Sequence, residues 1–301
     1  MPDSHDQVPL SPCVLVLKTP VASRERMAGR LTQATPRLAA QVEEAAREQE
    51  RTLLAVEEAL AKHGIEPLRI SADALDRKAG RALSSAGLVI TIGGDGTLLA
   101  ASQWVKGGTL LGVNSAPGSS IGHLALARRS DFARILSGIA HGTLDPIPVT
   151  RLTVEIDGRT LRPALNDVLL THARPAATSR YRLSVGEHSE EHRSSGLWIS
   201  TATGSTAGIR SAGGRAMPLR SHRLQFRARE LYREAGGSAL LASGFLPPGG
   251  ELAVESAMEH GWLFLDGARR ATRFPFGARA IFRAAPEPLL LFADPARWSA
   301  S

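Results

Sequence analysis

Residues 88–97 read Leu-Val-Ile-Thr-Ile-Gly-Gly-Asp-Gly-Thr. An apolar, β-branched run that stops at glycine reads as a buried strand. Gly93, Gly94 and Gly96 are free to take positive φ and carry no side-chain bulk. Backbone N–H groups in such a turn can approach a polyphosphate closely. Asp95 sits in the middle of it with nothing local to neutralise it. A carboxylate there suits holding a metal, or accepting a hydrogen bond or proton from a substrate hydroxyl. Thr97 is expected to open and cap a helix over 97–104. The ordinary alternative is a plain strand-to-helix turn. Four special residues in five positions, at the carboxyl end of a strand, favour a phosphate site.

The rest of the first half fits an alternating α/β pattern. Residues 13–17 read as a strand. A long helix follows over 36–63, with Leu38, Val42, Ala45, Leu53, Val56 and Leu60 on one face and His63-Gly64 at its end. Residues 71–81 are polar and read as a short connection. Another apolar strand, 109–114, leads into a polar loop, 115–122. A helix over 131–141 closes at Gly142. Strands alternating with helices imply a Rossmann-like open parallel sheet. Ligands of such sheets sit beyond the carboxyl ends of the strands, where both the glycine turn and Asn114 fall.

After Pro146 and Pro148 the period changes to two. Residues 151–156 alternate, and Asp157-Gly158 is a hairpin signal. Further strands are expected at 164–170, 181–185, 197–201, 252–254, 262–265 and 280–282. The expected organisation is an α/β nucleotide-binding domain over 1–147 and a β-rich, sandwich-like domain over 148–280. Residues 187–193, with His188 and His192, read as a solvated loop. The histidines show no metal-ligand spacing, so no metal site built from the chain alone is expected.

The 301 residues carry a net charge of +7, and only Lys18, Lys62, Lys78 and Lys106 are lysines. The arginines are dispersed, aromatics are 5%, and no nucleic-acid motif is present, so small phosphorylated ligands are the expected partners. No apolar run reaches membrane length, and no membrane partner is expected. Residues 1–8 contain no lysine or arginine, which argues against a secretory or transit leader. The single Cys13 excludes an intramolecular disulfide, and a reducing cytoplasm is the expected setting.

Three further motifs lie in the second half. Residues 201–208 and 211–214 are dense in glycine and hydroxyls, which suits ligand contact; a tight β-domain loop would look the same. Asn166-Asp167 interrupts an apolar strand, and an amide beside a carboxylate can hold a ribose diol; an edge strand with one exposed acid is the plain alternative. Asp266-Gly267 reads as a hairpin turn.

In order, Gly93-Gly94-Asp95-Gly96-Thr97, Gly112-Val113-Asn114, Leu165-Asn166-Asp167, Thr203-Gly204-Ser205-Thr206-Ala207 with Gly213-Gly214, and Asp266-Gly267 resemble the NAD kinase family. The likeness runs from about residue 86 to 290. The first motif alone is shared with lipid kinases and phosphofructokinases; the ordered set is more specific. Gly122-His123-Leu124, Ser194-Ser195-Gly196-Leu197 and Leu224-Gln225-Phe226 look closest to the mitochondrial-type branch and its bacterial relatives.

The resemblance implies transfer of the γ-phosphate of ATP to the 2′-hydroxyl of the adenosine ribose of NAD, with Mg²⁺ bridging the donor phosphates. It implies Asp95 as general base, with Gly93, Gly94, Gly96 and Thr97 at the phosphates. Asn166 and Asp167 would grip a ribose of NAD, and Asn114, Thr206, Ala207 and Ser211 would line the dinucleotide pocket. It also implies a homodimer paired through the β-rich domain, and a C-terminal segment, 281–301, returning to the first domain.

Three positions depart from the family pattern: Asp167 for glutamate, Ser195 for aspartate, and Gly208 for tyrosine. The last is expected to leave an open space unless Trp198 or Tyr181 fills it. Two alternatives remain. A lipid kinase would place an Asn-Glu pair where Leu98-Leu99-Ala100-Ala101 stands. A non-catalytic nucleotide sensor would have no need of Asp95.

Overall fold

The computed structural model describes residues 8–118, 120–232 and 240–298. Residues 1–7, which carry most of the segment read for a leader, lie outside the described residues, as does Ser119 of the polar loop. The chain divides into two compact units, Met1–Ile147 with Leu289–Asp294, and Pro148–Pro288 with Pro295–Ser301.

The first unit is built on β1 (Cys13–Leu17), β2 (Leu68–Ser71), β3 (Leu88–Gly93), β4 (Thr109–Asn114) and the two-residue β5 (Ala127–Arg128). The sheet runs β2-β1-β3-β4, then the late strand Leu289–Phe292, then β6 (Ile147–Val149), with β5 beside β4. The pairs β1–β2, β1–β3, β3–β4, β4–β5 and β4 with the late strand are parallel. Every residue of β3 and β4 is buried. This is the unbroken apolar pattern of a parallel sheet covered on both faces.

Helices α1 (Val21–Met27), α2 (Pro36–Lys62), α3 (Arg77–Ser85), α4 (Asp95–Ser102) and α5 (Phe132–Ala140) accompany it. In α2, Thr35 accepts from the Leu38 N–H and Pro36 takes the first turn, while Gly64 at φ 67° follows the C-terminal cap. Its apolar face is used unevenly. Val56, Ala59 and Leu60 join Leu15, Ile90, Leu111 and the α5 residues Phe132, Ile135 and Leu136 in one core, whereas Leu38 is 50% exposed.

Two expectations for this unit are corrected. Residues 71–81 are not a mere connection: β2 ends there and α3 begins, its first turn capped by Asp76, which accepts from the Lys78 and Ala79 N–H groups at 2.8 Å. Gly80 in α3 lies against the Trp104 ring, closely enough to exclude a Cβ. The helix after the glycine turn starts at Asp95 instead of Thr97. Among the described residues no helix is long and apolar enough to cross a membrane.

The second unit holds β7 (Leu152–Ile156), β8 (Arg159–Thr160), β9 (Asp167–His172), β10 (Ser179–Val185), β11 (His188–Ser194), β12 (Gly196–Ser200), β13 (Leu224–Arg229), β14 (Ser243–Leu246), β15 (Glu251–Ser256), β16 (Gly261–Leu265), β17 (Ala271–Arg273) and β18 (Arg279–Ala284). They form two six-stranded sheets, β11-β10-β15-β18-β7-β8 and β14-β13-β12-β9-β16-β17. Val154, Leu183, Val254 and Phe282 of one sheet share a core with Val168, Leu197, Ile199 and Leu263 of the other. That is a β-sandwich. Asp157 (φ 47°) and Gly158 (φ 79°) make the predicted β7–β8 turn.

Here too the sequence reading needs correction. Residues 187–193 are not a loop: β11 pairs antiparallel with β10, and His192 is buried against Tyr181. The strand expected at 164–170 starts at Asp167. The chain returns to the first unit over Leu289–Asp294, which carries β19 (Leu289–Phe292), a narrower segment than 281–301, since residues 281–288 and the stretch from Pro295 belong to the second unit.

The uneven burial of α2 predicts uneven sensitivity. Leu60→Ala should destabilise by about 2–5 kcal/mol, as for other buried leucines. Leu38→Ala should stay within about 0.5 kcal/mol. Equal midpoint shifts for the two in urea unfolding would contradict this packing.

Candidate functional site

In the first unit, β3 and β4 end side by side, with Gly93 opposite Asn114. None of Gly93, Gly94 and Gly96 adopts positive φ, contrary to the expectation; Gly94 is extended at φ −95°, ψ −174°. Their use is close approach. A Cβ on Gly93 would run into Thr97 Oγ1 and come 2.9 Å from the Lys18 Cβ, and one on Gly94 would lie 2.6 Å from Ser120 Oγ. Gly96 is exposed and has open space before it, so bare backbone faces outward in the first turn of α4. In this first turn the Thr97 N–H donates back to the Gly94 carbonyl at 2.9 Å, whereas helix geometry gives the Asp95 and Gly96 N–H groups no partner within the helix. Thr97 is buried inside α4 and does not cap it.

Asp95 is not left without local partners. Its two carboxylate oxygens accept the backbone N–H groups of His123 (3.0 Å) and Leu124 (2.9 Å), tying the glycine turn to the loop after β4. Charged acceptors make such bonds stronger than neutral ones. Each oxygen keeps a further acceptor site. Asn114 organises the same loop: Nδ2 donates to the Ser120 carbonyl at 3.0 Å and Oδ1 accepts from the Ala116 N–H. Gly122, at φ 60°, packs so close to the Asn114 amide that no Cβ fits.

In the second unit the organising group is Asp266, which the sequence suggests as a turn residue and as the last member of the motif set, without showing its partners. It sits at φ 52° directly after β16, and its side chain is 1% exposed. Oδ2 accepts from the Leu165 N–H (2.9 Å), and Oδ1 from the Asn166 (2.7 Å) and Asp167 (3.3 Å) N–H groups. These N–H groups therefore leave the strand ladder, which is why β9 begins late. Arg270 pairs with Oδ2 at 3.3 Å and also donates to the carbonyls of Pro163 and Arg162.

Thr201, Thr203 and Gly204 meet the same segment. The Thr201 hydroxyl donates to the Leu165 carbonyl at 2.6 Å, and Gly204 lies on the Asn166 carbonyl with no room for a Cβ. The Thr203 carbonyl accepts from the buried Trp298 indole N–H at 3.0 Å, a partner that sequence reasoning missed. Asn166, Asp167 and the hydroxyl-rich turn are thus brought together around Asp266. Thr206 and Ala207 follow, half-buried, and Ser211 ends the short α6 (Gly208–Ser211) exposed to solvent. Two buried polar atoms here, Asn166 Oδ1 and Thr203 Oγ1, have no hydrogen-bond partner among the described residues. Buried polar atoms are ordinarily paired, so these mark a place for a ligand or water. A separate cavity of about 460 Å³, lined by Arg180, His192, Tyr232 and Phe276 among others, contains none of these groups.

Burial raises the pKa of both neighbouring acids. Asp266 is pulled back by Arg270 and three backbone N–H groups. Asp167 has no such compensation and also faces the charge of Asp266, so it is pushed from 3.8 to about 7.

The space expected at Gly208 is filled. A Cβ there would lie 2.7 Å from Trp198 Cζ2, so the indole of β12 already covers this glycine. Of the two rings considered, Trp198 is the one that does so.

Two predictions follow from this geometry. Folded Asp167 holds its proton more tightly than unfolded Asp167. The associated stability is therefore complete below about pH 4 and is lost as pH rises through about 7. Asp167→Asn should be close to wild type near pH 4 and more stable by about 2–4 kcal/mol at pH 8. A difference that stays constant across pH in denaturant titrations would place the titration elsewhere. Gly208→Tyr should overpack against Trp198 and destabilise by about 1–3 kcal/mol. The Trp198→Ala/Gly208→Tyr double variant should recover most of that loss; simple additivity of the two changes would rule out the contact.

Comparison with known proteins agrees with both halves of this description. Residues 11–144 match the ATP-NAD kinase N-terminal domain. A probable NADH kinase of Oryza sativa subsp. japonica is 37% identical over 204 residues, covering 60% of this chain and 63% of that protein. An NADH kinase of Arabidopsis thaliana is 33% identical over 206 residues, covering 60% and 65%. The chain thus spans just under two thirds of the length of these relatives. Among solved structures, an NAD kinase from Archaeoglobus fulgidus in complex with ATP gives a TM-score of 0.67 at 19% identity, covering 95% of each chain. Yeast NADH kinase complexed with NADH gives 0.66 at 14% identity, covering 95% of this chain and 84% of that one. At such identities the structural likeness speaks for the fold alone; the matched domain, which spans fewer than half of the residues, and the two plant relatives show similarity to NAD and NADH kinases over part of the chain.

Proposed function

We propose that this chain is an NAD kinase, moving the γ-phosphate of ATP to the 2′-hydroxyl of the adenosine ribose of NAD. The observation that carries the reading is Asn166 Oδ1, a buried acceptor with no partner among the described residues, in the residue that precedes the buried Asp167. A ribose diol supplies O–H donors to such a pair. The glycine turn supports the donor side: exposed Gly96 and the first turn of α4 offer bare backbone to phosphate oxygens, next to Gly93, Gly94 and Thr97. Thr206, Ala207 and Ser211 would border the dinucleotide. Asn114 would act at one remove, through the loop that it orders.

Asp95 is the residue we assign to the acceptor hydroxyl. Its two backbone N–H bonds fix its orientation, and its remaining acceptor sites can take a hydroxyl proton. A carboxylate is a weak base, which suffices because phosphoryl transfer rests mainly on positioning and charge neutralisation. Mg²⁺ would enter on the donor phosphates and neutralise their charge. Among the described residues no group of three or more His, Cys, Asp or Glu side chains is arranged to hold a metal.

The names of the two plant relatives favour NADH as a second acceptor. Pairing of two copies through the β-rich unit completes the reading on the strength of the family resemblance. A reducing cytoplasm suits the buried Cys13, whose thiol burial pushes up to about 12.

The test is formation of NADP from NAD, and in parallel of NADPH from NADH, by the purified chain with ATP and Mg²⁺. No product from either acceptor would sink the reading. Asp95→Asn should lower turnover by about 10²–10⁴-fold. It should also cost about 1–3 kcal/mol of stability, because the new amide sets an NH₂ against a backbone N–H. Near-normal turnover of that variant would remove Asp95 from the chemistry.

A further inference from the structure

Lys18 immediately follows β1, at the carboxyl edge of the parallel sheet, and its N–H donates to the Ile92 carbonyl at 3.0 Å. Its Cβ would be 2.9 Å from a Cβ on Gly93, so the side chain starts directly beside the glycine turn. Its carbonyl accepts from Gln49 of α2, which fixes the backbone there. The side chain is half-buried and has no ion-pair partner among the described residues. Arg24, on α1, is close enough to act on it electrostatically, and Arg24 Nε is buried with no hydrogen-bond partner.

The neighbouring carboxylates are committed elsewhere. Glu25 takes two hydrogen bonds from Arg30, at 2.7 and 3.1 Å, and Glu43 pairs with Arg26 at 3.1 Å. Two cations are therefore kept close and partly out of water, and neither side chain is bonded to a carboxylate among the described residues; Glu25 feels the charge of Arg24 but gives its hydrogen bonds to Arg30. Burial first, and Arg24 second, lower the pKa of Lys18, which shows the strain of this arrangement. Buried charge ordinarily has a partner. An anion placed between the two side chains would supply one.

We propose that Lys18 and Arg24 form an anion subsite beside Gly93-Gly94 that binds the phosphate chain of the donor nucleotide. Lysine serves as a point charge and arginine as a planar fork, so together they suit a flexible polyphosphate. The assignment rests on the kinase reading for the identity of its ligand, but its physical content, polyphosphate binding, is separate from turnover.

The test uses the full chain and isothermal calorimetry with inorganic tripolyphosphate, ATP and adenosine. Lys18→Met and Arg24→Gln should each weaken tripolyphosphate and ATP binding about tenfold or more and leave adenosine unchanged. Lys18→Arg should keep wild-type affinity within a few-fold. Unchanged tripolyphosphate affinity in folded variants would overturn the subsite, as would equal weakening for adenosine, or no tripolyphosphate binding by the wild type. Should Lys18→Met fail to fold, Arg24→Gln on the half-exposed α1 decides the matter by the same readout. Because tripolyphosphate binding needs no NAD, the subsite can stand if NADP is not formed, and can fall if it is.

Discussion

Backbone N–H groups that leave a sheet ladder inside a protein must find another acceptor. In each unit an aspartate supplies it. Asp95 collects the N–H groups of His123 and Leu124, and Asp266 collects those of Leu165, Asn166 and Asp167. A carboxylate suits this work because its oxygens together accept several bonds and its charge strengthens each one. The irregular segments that carry the candidate ligand groups are thereby fixed in place. Enclosure also sets the electrostatics: burial first, and the neighbouring Asp266 second, raise the pKa of Asp167.

In the glycine turn after β3, glycine acts through size and not through torsion. At Gly93, Gly94, Gly122 and Gly204 the absent Cβ lets a side chain or a carbonyl lie directly on the main chain. Gly208 extends the principle to a pair of positions. With no side chain of its own, it accepts the Trp198 indole from β12. A ring is therefore present at this place, but it comes from a neighbouring strand.

What could be read from the sequence was set by the range over which the signal acts. The unbroken apolar runs of β3 and β4 record burial on both faces, and the Asp157-Gly158 turn records its own backbone, so both were legible. β11 was hidden because its outward positions, such as Glu191 and Arg193, are charged, and only His192 and Ser194 face inward. α3 was hidden because it is short and rests on the flat contact of Gly80 with Trp104. The glycine turn was legible as a site, but not the partners of its acid, which lie 28 and 29 residues away. Asp266 was read as a turn because its partners are about 100 residues upstream.

β19 lies against β4 in parallel register, Leu290–Phe292 beside Thr109–Leu111, and the chain of the second unit runs between them in sequence. During synthesis, β4 emerges long before its neighbour exists. Until then it offers a row of unpaired N–H and C=O groups on an apolar strand, which is a template for another copy of the same strand. Pairings closed over such a separation also form slowly. A nascent or truncated chain ending before Leu289 would carry the glycine turn on an open sheet, and its main hazard would be self-association. The order of the elements along the chain thus ties solubility of the first unit to completion of the β-sandwich that precedes its sealing strand.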